Sequence, residues 1–187
     1  MTKATLTEQD FKDAANLLGC DVAAIKAVAE VESRQNGFTD NEEPVILFER
    51  HIFSKKTNHL FDKTNPGISN PKSGGYGKSS DQHARLMEAV KLNRNAALMS
   101  ASWGKFQIMG FNFALAGFNS LQEFINAMYK SEREHLMAFV NYVIQMSLVD
   151  ELINKKWADF ARKYNGPEYK KNNYDIKLAA AYKKYNK

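Results

Sequence analysis

Glu32 occupies a position where a carboxylate is unusual, because it shares a helical stripe with apolar side chains. At about 100° per residue, Ile25, Val28, Ala29 and Glu32 of "VAAIKAVAEVES" all fall within about 60° of the Ile25 direction, whereas Glu30 points about 140° away, into water. A carboxylate on a buried stripe loses hydration, which disfavours its charged form and raises its pKa towards neutrality. That is the property a general acid requires. The same placement also suits a structural glutamate bonded to the amides of the following loop. A second carboxylate, Glu49, ends the apolar run "VILFER", where Arg50 or another cation offers an ordinary ion-pair partner. Two carboxylates across a cleft are the minimal equipment for cleaving a glycosidic bond, one protonating the leaving oxygen and the other activating water or steadying the cation. Glutamates at such a separation occur in any chain, so the pair alone decides nothing.

A further stretch with chemical potential is "SASWGKFQIMGFN", residues 100 to 112, which is too polar for a core and too apolar for a common loop. Metal chemistry has no comparable candidate. His51, His59, His83 and His135 lack a ligand spacing such as H-x-x-x-H, so no metal and no other cofactor is expected. "SGGYGKSS" lacks the spacing of a phosphate-binding loop and reads as a flexible flap over a cleft.

The elements that must position these residues are mostly helices. Thr7 and Asp10 resemble a capping box and Gly19 suits the position past a helix end, predicting a helix over roughly 8 to 18. Asp21 can cap the helix that carries Glu32, and Asn36 and Gly37 break it. "PVILFERHIF" is too short for periodicity to settle and is read as extended. From 54 to 80 the chain is rich in Gly, Pro, Asn and Ser, predicting a long loop with room for a small β-hairpin. Helices are expected at about 81 to 92, around 94 to 100, after Ser120 with Glu123, after Ser131 with Glu134, and at about 150 to 163. Gly166 suits a left-handed C-cap before Pro167. The last helix, about 173 to 187, places Tyr174, Leu178, Ala181 and Tyr185 on one face. The fold class expected is all-α, as a single domain over 1–187, with a loop-rich insertion at about 44–80 that can hold a little β structure.

The chain of 187 residues is long enough to bury a sizeable core, and no run approaches the roughly 20 apolar residues of a membrane span. One cysteine, Cys20, excludes an intrachain disulfide and a cysteine-rich zinc site. The amino terminus lacks the apolar core of a signal peptide and reads as an amphipathic helix, so synthesis and first residence in the cytoplasm are expected. A net charge of +5 favours an anionic partner without choosing among nucleic acid, lipid and acidic wall polymer.

Three pieces sharpen the choice: "VESRQNGF" at a helix end, "SASWGKFQIMG" after another helix, and "FARKYNGPEY" at a third. Their types and order resemble the ES, G-x-x-Q and Y-N-G signatures of the lysozyme-like superfamily. The fuller set "EPVILFERHIF", "SGGYG", "SASWGKFQIMGFNF", "YNGPEY" and "YDIKLAAAYKKY" is more closely similar to the N-acetylmuramidase family of phage endolysins, from about residue 20 to the end. The resemblance implies a lysozyme-like fold and hydrolysis of peptidoglycan glycan strands of Gram-negative hosts. It puts the catalytic acid at Glu32, the sugar-lining motif at Ser102, Gly104 and Gln107, and the motif beneath the acid at Tyr164 and Asn165. Glu49 falls in a muramidase-family feature, with its role as base or electrostatic stabiliser open. Residence in the host cytoplasm until a holin-type lesion gives access to the periplasm is a further implication.

In that setting Trp103 and Phe106 can offer apolar faces to pyranose rings, Gln107 can bond an acetamido group, and Gly104 lets backbone approach the sugar. A helix junction with core aromatics is the plainer alternative. The terminal helix could meet anionic outer-membrane lipid through its lysines or pack on the core with a solvated basic face. Rival functions are a lytic transglycosylase and a non-catalytic wall-binding or membrane-permeabilising protein. Nucleic-acid binding is set aside, because the lysines are scattered and no motif matches. A monomer is expected.

Overall fold

The computed structural model describes residues 3–32 and 36–187. Helix α1 (Glu8–Leu18) starts at Thr7, whose side chain accepts from the Asp10 amide while the Asp10 carboxylate accepts from the Thr7 amide at 2.8 Å. It stops at Gly19, left-handed at φ 63°, ψ 28°. Helix α2 (Val22–Glu32) buries Ala24, Ile25, Ala27, Val28 and Ala29 and leaves Glu30 exposed, as the helical count requires.

After Gly37 the chain forms the short strand β1 (Ile46–Phe48) and turns directly into α3 (Arg50–Lys56). The run read as extended is therefore half strand and half helix. Helices α4 (Gln82–Leu92) and α5 (Arg94–Met99) lead into β2 (Ala101–Trp103) and β3 (Ile108–Met109). The three strands form one antiparallel sheet in the order β1-β2-β3, with Leu47 opposite Ser102 and Ser102 opposite Met109. A hairpin inside 54–80 is not found; β1 pairs instead with the polar-aromatic stretch at 101–103, a partner distant in sequence.

Helices α6 (Leu121–Met128) and α7 (Glu132–Gln145) begin at Ser120 and Ser131, each accepting from the amide three residues on. The helix expected at 150 to 163 is two, α8 (Val149–Ile153) and α9 (Trp157–Asn165), separated where Lys155 adopts φ 55°. Gly166 has φ 85° and ψ 179°, extended with positive φ, so it does not make the left-handed cap predicted for it. The chain ends with α10 (Tyr174–Tyr185), which packs on α2 through buried Leu178 and Ala181, with Tyr182 donating to Asp21 and Lys184 to Glu30.

The core is aromatic: Phe48, Phe53, Trp103, Phe106, Phe124, Phe139 and Phe160 are fully buried. Burying each such ring contributes about 2–3 kcal/mol relative to exposure. No helix among the described residues is long and apolar enough to cross a membrane.

Candidate active site

Glu32 closes α2 on the wall of a cleft of about 380 Å³, which is also lined by Val45, Ile46 and Leu47 of the β1 segment, by Gly104, Lys105 and Gln107, and by Tyr174 of α10. Burial pushes the Glu32 carboxyl up to about 7, against the opposing effect of a hydrogen bond in which Asn165 Nδ2 donates to Oε1 at 2.9 Å. Oε1 is thus fixed by α9. Asn165 Oδ1 is buried with no hydrogen-bond partner among the described residues. Ser33, the second residue of the ES motif, lies outside the described residues.

Tyr164 is half-buried as a residue, and its hydroxyl donates to Phe106 O at 2.8 Å. Burial, then the nearby Glu32 charge, pushes the phenol well above its ordinary range, so it stays protonated and donates. Tyr164 and Asn165 therefore sit beside the acid, one joining α9 to the 104–107 turn and the other holding Oε1.

The polar-aromatic stretch turns between β2 and β3 through Gly104 (φ 67°) and Gln107 (φ 49°). A Cβ on Gly104 would meet the His135 ring at 2.8 Å, so glycine is required for closeness as well as for φ. Trp103 and Phe106 do not offer faces to sugar, contrary to the expectation for them. Each is 1% exposed; Trp103 Nε1 donates to Leu98 O, and Phe106 stacks on Phe139 with centroids 4.7 Å apart. The pairing of β2 with β1 turns Trp103 to the core, and the tight 104–107 turn carries Phe106 against α7. Gln107 lines the cleft, but its amide is committed internally: Oε1 accepts from Ser102 Oγ at 2.7 Å, and Nε2 donates to Gly104 O at 2.8 Å and Val45 O at 3.3 Å. Ser102 and Gln107 brace the cleft wall to the β1 segment.

Behind this wall is a group that sequence reasoning missed. Glu132, on the first turn of α7, is 1% exposed and accepts from the amides of Gly37 (2.5 Å) and Leu6 (3.0 Å) and from Lys105 Nζ (3.1 Å). Burial pushes its carboxyl up, but those amides and the Lys105 ammonium outweigh it, and the net shift is downward. His135, one turn on, is held neutral by burial and bonds Met128 O through Nε2; Nδ1 then accepts from the Lys105 amide at 3.1 Å. A Cβ on Gly37 would meet His135 Nδ1 at 2.7 Å. Gly104 on the cleft and Gly37, next to the cleft-lining Asn36, thus lean on one buried platform from α7.

Glu49 lies beyond the cavity of about 380 Å³ that Glu32 lines, two positions past Leu47. It ends the Val45–Leu47 face of β1, since alternate strand residues share a face, and its carboxylate lies 3.1 Å from His51 Nδ1. Burial raises its pKa; His51 and the Tyr76 hydroxyl offset part of that rise. Tyr76 belongs to the glycine-rich segment, where Gly74, Gly75 and Gly77 have positive φ, and its carbonyl accepts from Gln82 Nε2 at 2.6 Å. Gln82 Oε1 in turn takes the Phe48 amide. Among the described residues no group of three His, Cys, Asp or Glu side chains is placed to hold a metal ion.

Comparison with known proteins shows the family and the fold. The model of the N-acetylmuramidase family matches residues 21–186. A crystal structure of a Burkholderia AP3 phage endolysin superposes with a TM-score of 0.90 at 41% identity, covering 97% of this chain and 71% of that one. No curated protein sequence matches.

Proposed function

The chain belongs to the N-acetylmuramidase family, and from that premise we propose that it hydrolyses peptidoglycan at the β-1,4 bond between N-acetylmuramic acid and N-acetylglucosamine, with Glu32 as general acid. One observation carries the assignment: a carboxyl group held near half-protonation at neutral pH on a cleft wall, with Asn165 fixing one of its oxygens. Glu32 gives its proton to the bridging oxygen as the bond to the anomeric carbon breaks, and the electron pair leaves with the departing sugar. Water then adds to the anomeric carbon and returns a proton to Glu32. Asn165 stabilises the carboxylate between the two transfers. Ser102, Gly104 and Gln107 shape the wall that receives the glycan, and Trp103 and Phe106 hold that wall from behind. Glu49 is assigned a secondary, electrostatic part through the strand it ends.

A second reading is favoured by the cleft's lining, in which, among the described residues, Glu32 is the one carboxylate: the muramic acid's own C6 hydroxyl replaces water, giving a 1,6-anhydro product. Product mass separates the two by one water.

The setting we propose is a monomeric single-domain endolysin, held in the host cytoplasm until lysis and acting from the periplasm on a Gram-negative wall. Exposed Ile176 and Lys183 on α10 support a loose additional contact with anionic outer-membrane lipid.

The test is turbidity loss of outer-membrane-stripped Gram-negative cells, with mass analysis of the released muropeptides. Glu32→Gln is expected to abolish lysis while remaining folded, and Glu49→Gln to lose less than about tenfold, below the full general-acid contribution. Lysis by Glu32→Gln at the wild-type rate would overturn the assignment and leave binding or membrane damage as the function.

A further inference from the structure

The Glu32 cleft does not end at Tyr174. A second depression of about 450 Å³ lies between α2 and α10, and Val31 and Tyr174 line both, forming the saddle between them. Its floor is apolar and low, contributed by Ala180 and Ala181, and its rim carries Lys177 and Lys184. These two cations are not equivalent. Lys184 bonds Glu30 Oε2 at 2.7 Å, and the same oxygen accepts from the Tyr185 hydroxyl at 2.5 Å, so the one acid on the groove's lining is already occupied. Lys177 is exposed, lies 5.8 Å from the centre of the Tyr174 ring, and has no carboxylate within ion-pair distance among the described residues. The groove therefore presents one uncompensated positive charge, one turn along α10 from the Tyr174 that lines the cleft.

A linear sugar polymer would need one channel. A channel with a side branch at the reacting end suits a polymer that carries a side chain, and in peptidoglycan that side chain is a short peptide with free carboxylates, borne by the muramic acid. Resting on the muramidase reading above, we propose that the α2–α10 groove receives the acidic peptide branch of the muramic acid bound at the Glu32 cleft, with Lys177 pairing a peptide carboxylate. The enzyme then reads the peptide as well as the glycan. An exposed ion pair of this kind has a modest effect and weakens with salt.

The experiment compares kcat/KM on peptide-bearing glycan strands with that on the same strands after an amidase has removed the peptides, for wild type, Lys177→Gln and Lys177→Glu at low and high salt. Wild type is expected to favour the peptide-bearing strands by about 3- to 5-fold at low salt, the range of one exposed ion pair. The preference should fall towards unity in Lys177→Gln, reverse in Lys177→Glu, and shrink at high salt. Equal rates on both strands in wild type, or a preference that both variants keep, would overturn the groove's role and leave the muramidase reading standing. Wild type that cleaves neither strand would overturn both. Lys177 is exposed, so thermal melting of both variants is expected to match wild type.

Discussion

Glu32 at the end of α2 and Glu132 at the start of α7 are both desolvated carboxylates on the inner faces of their helices, yet their pKa values move in opposite directions. Glu132 receives two backbone amides and an ammonium, and its pKa is lowered. Among the described residues Glu32 receives one side-chain amide, and its pKa rises to about 7. The contrast teaches that burial alone does not make an acid. The number of donors aimed at the carboxylate decides whether desolvation wins. The α7 site is saturated and braces the cleft, while the α2 site is under-supplied with donors and can exchange a proton.

The largest expected effect that sharpens this contrast is at Glu32. Glu32→Gln should lower kcat/KM by about 10²- to 10⁴-fold, the usual contribution of a general acid. Its stability should move the other way. A glutamate whose folded pKa is raised is penalised as pH climbs above its unfolded value, and the penalty is complete above about pH 7. The variant should therefore be more stable than wild type at pH 8, by about 3 kcal/mol for a shift of this size, and equal to it near pH 4; denaturant melts at the two pH values measure this.

Glu132→Gln should do the reverse. It leaves Lys105 unpaired in a largely buried site, at a cost of about 3 kcal/mol at neutral pH. Because the folded pKa of Glu132 is lowered, its contribution is present above the unfolded value and is lost as pH falls through the folded one. The difference between variant and wild type should thus narrow in acid, in the same melts that show Glu32→Gln diverging at high pH. Equal pH dependence of the two variants would break the comparison.

The smallest effect is at Asn165. Its amide holds Glu32 down, so Asn165→Ala should raise the Glu32 pKa further and move the basic limb of the kcat/KM profile to higher pH. A limb that stays in place would mean that Asn165 does not govern the acid.

The same helical count that isolates Glu32 could have isolated Glu132. At about 100° per residue, Glu132, Leu136, Phe139 and Val143 of α7 fall within about 40° of Glu132. The signal was hidden because an acid after Ser131 also reads as a solvated first-turn residue. Trp103 and Phe106 were misplaced for a different reason. Trp103 depends on strand pairing with Ile46–Phe48 and Phe106 on stacking against Phe139 of α7, contacts no local pattern encodes, and a β-hairpin is expected inside 54–80 for the same cause. The split of α8 from α9 rests on a positive φ at Lys155, a residue type that carries no turn signal. By contrast, the family, the mainly helical fold with a small sheet, and glycoside hydrolysis were legible because short motifs with fixed spacing carry them.

The most direct measurement is a pH titration of the glutamate side-chain carboxyl carbons by NMR, assigned with Glu32→Gln and Glu132→Gln. The expected result is one carboxyl, lost in Glu32→Gln, titrating near pH 7, and another, lost in Glu132→Gln, titrating below the ordinary glutamate range. A Glu32 carboxyl titrating near 4.5 would contradict the account, because the cleft would then hold a carboxylate with no proton to give at neutral pH.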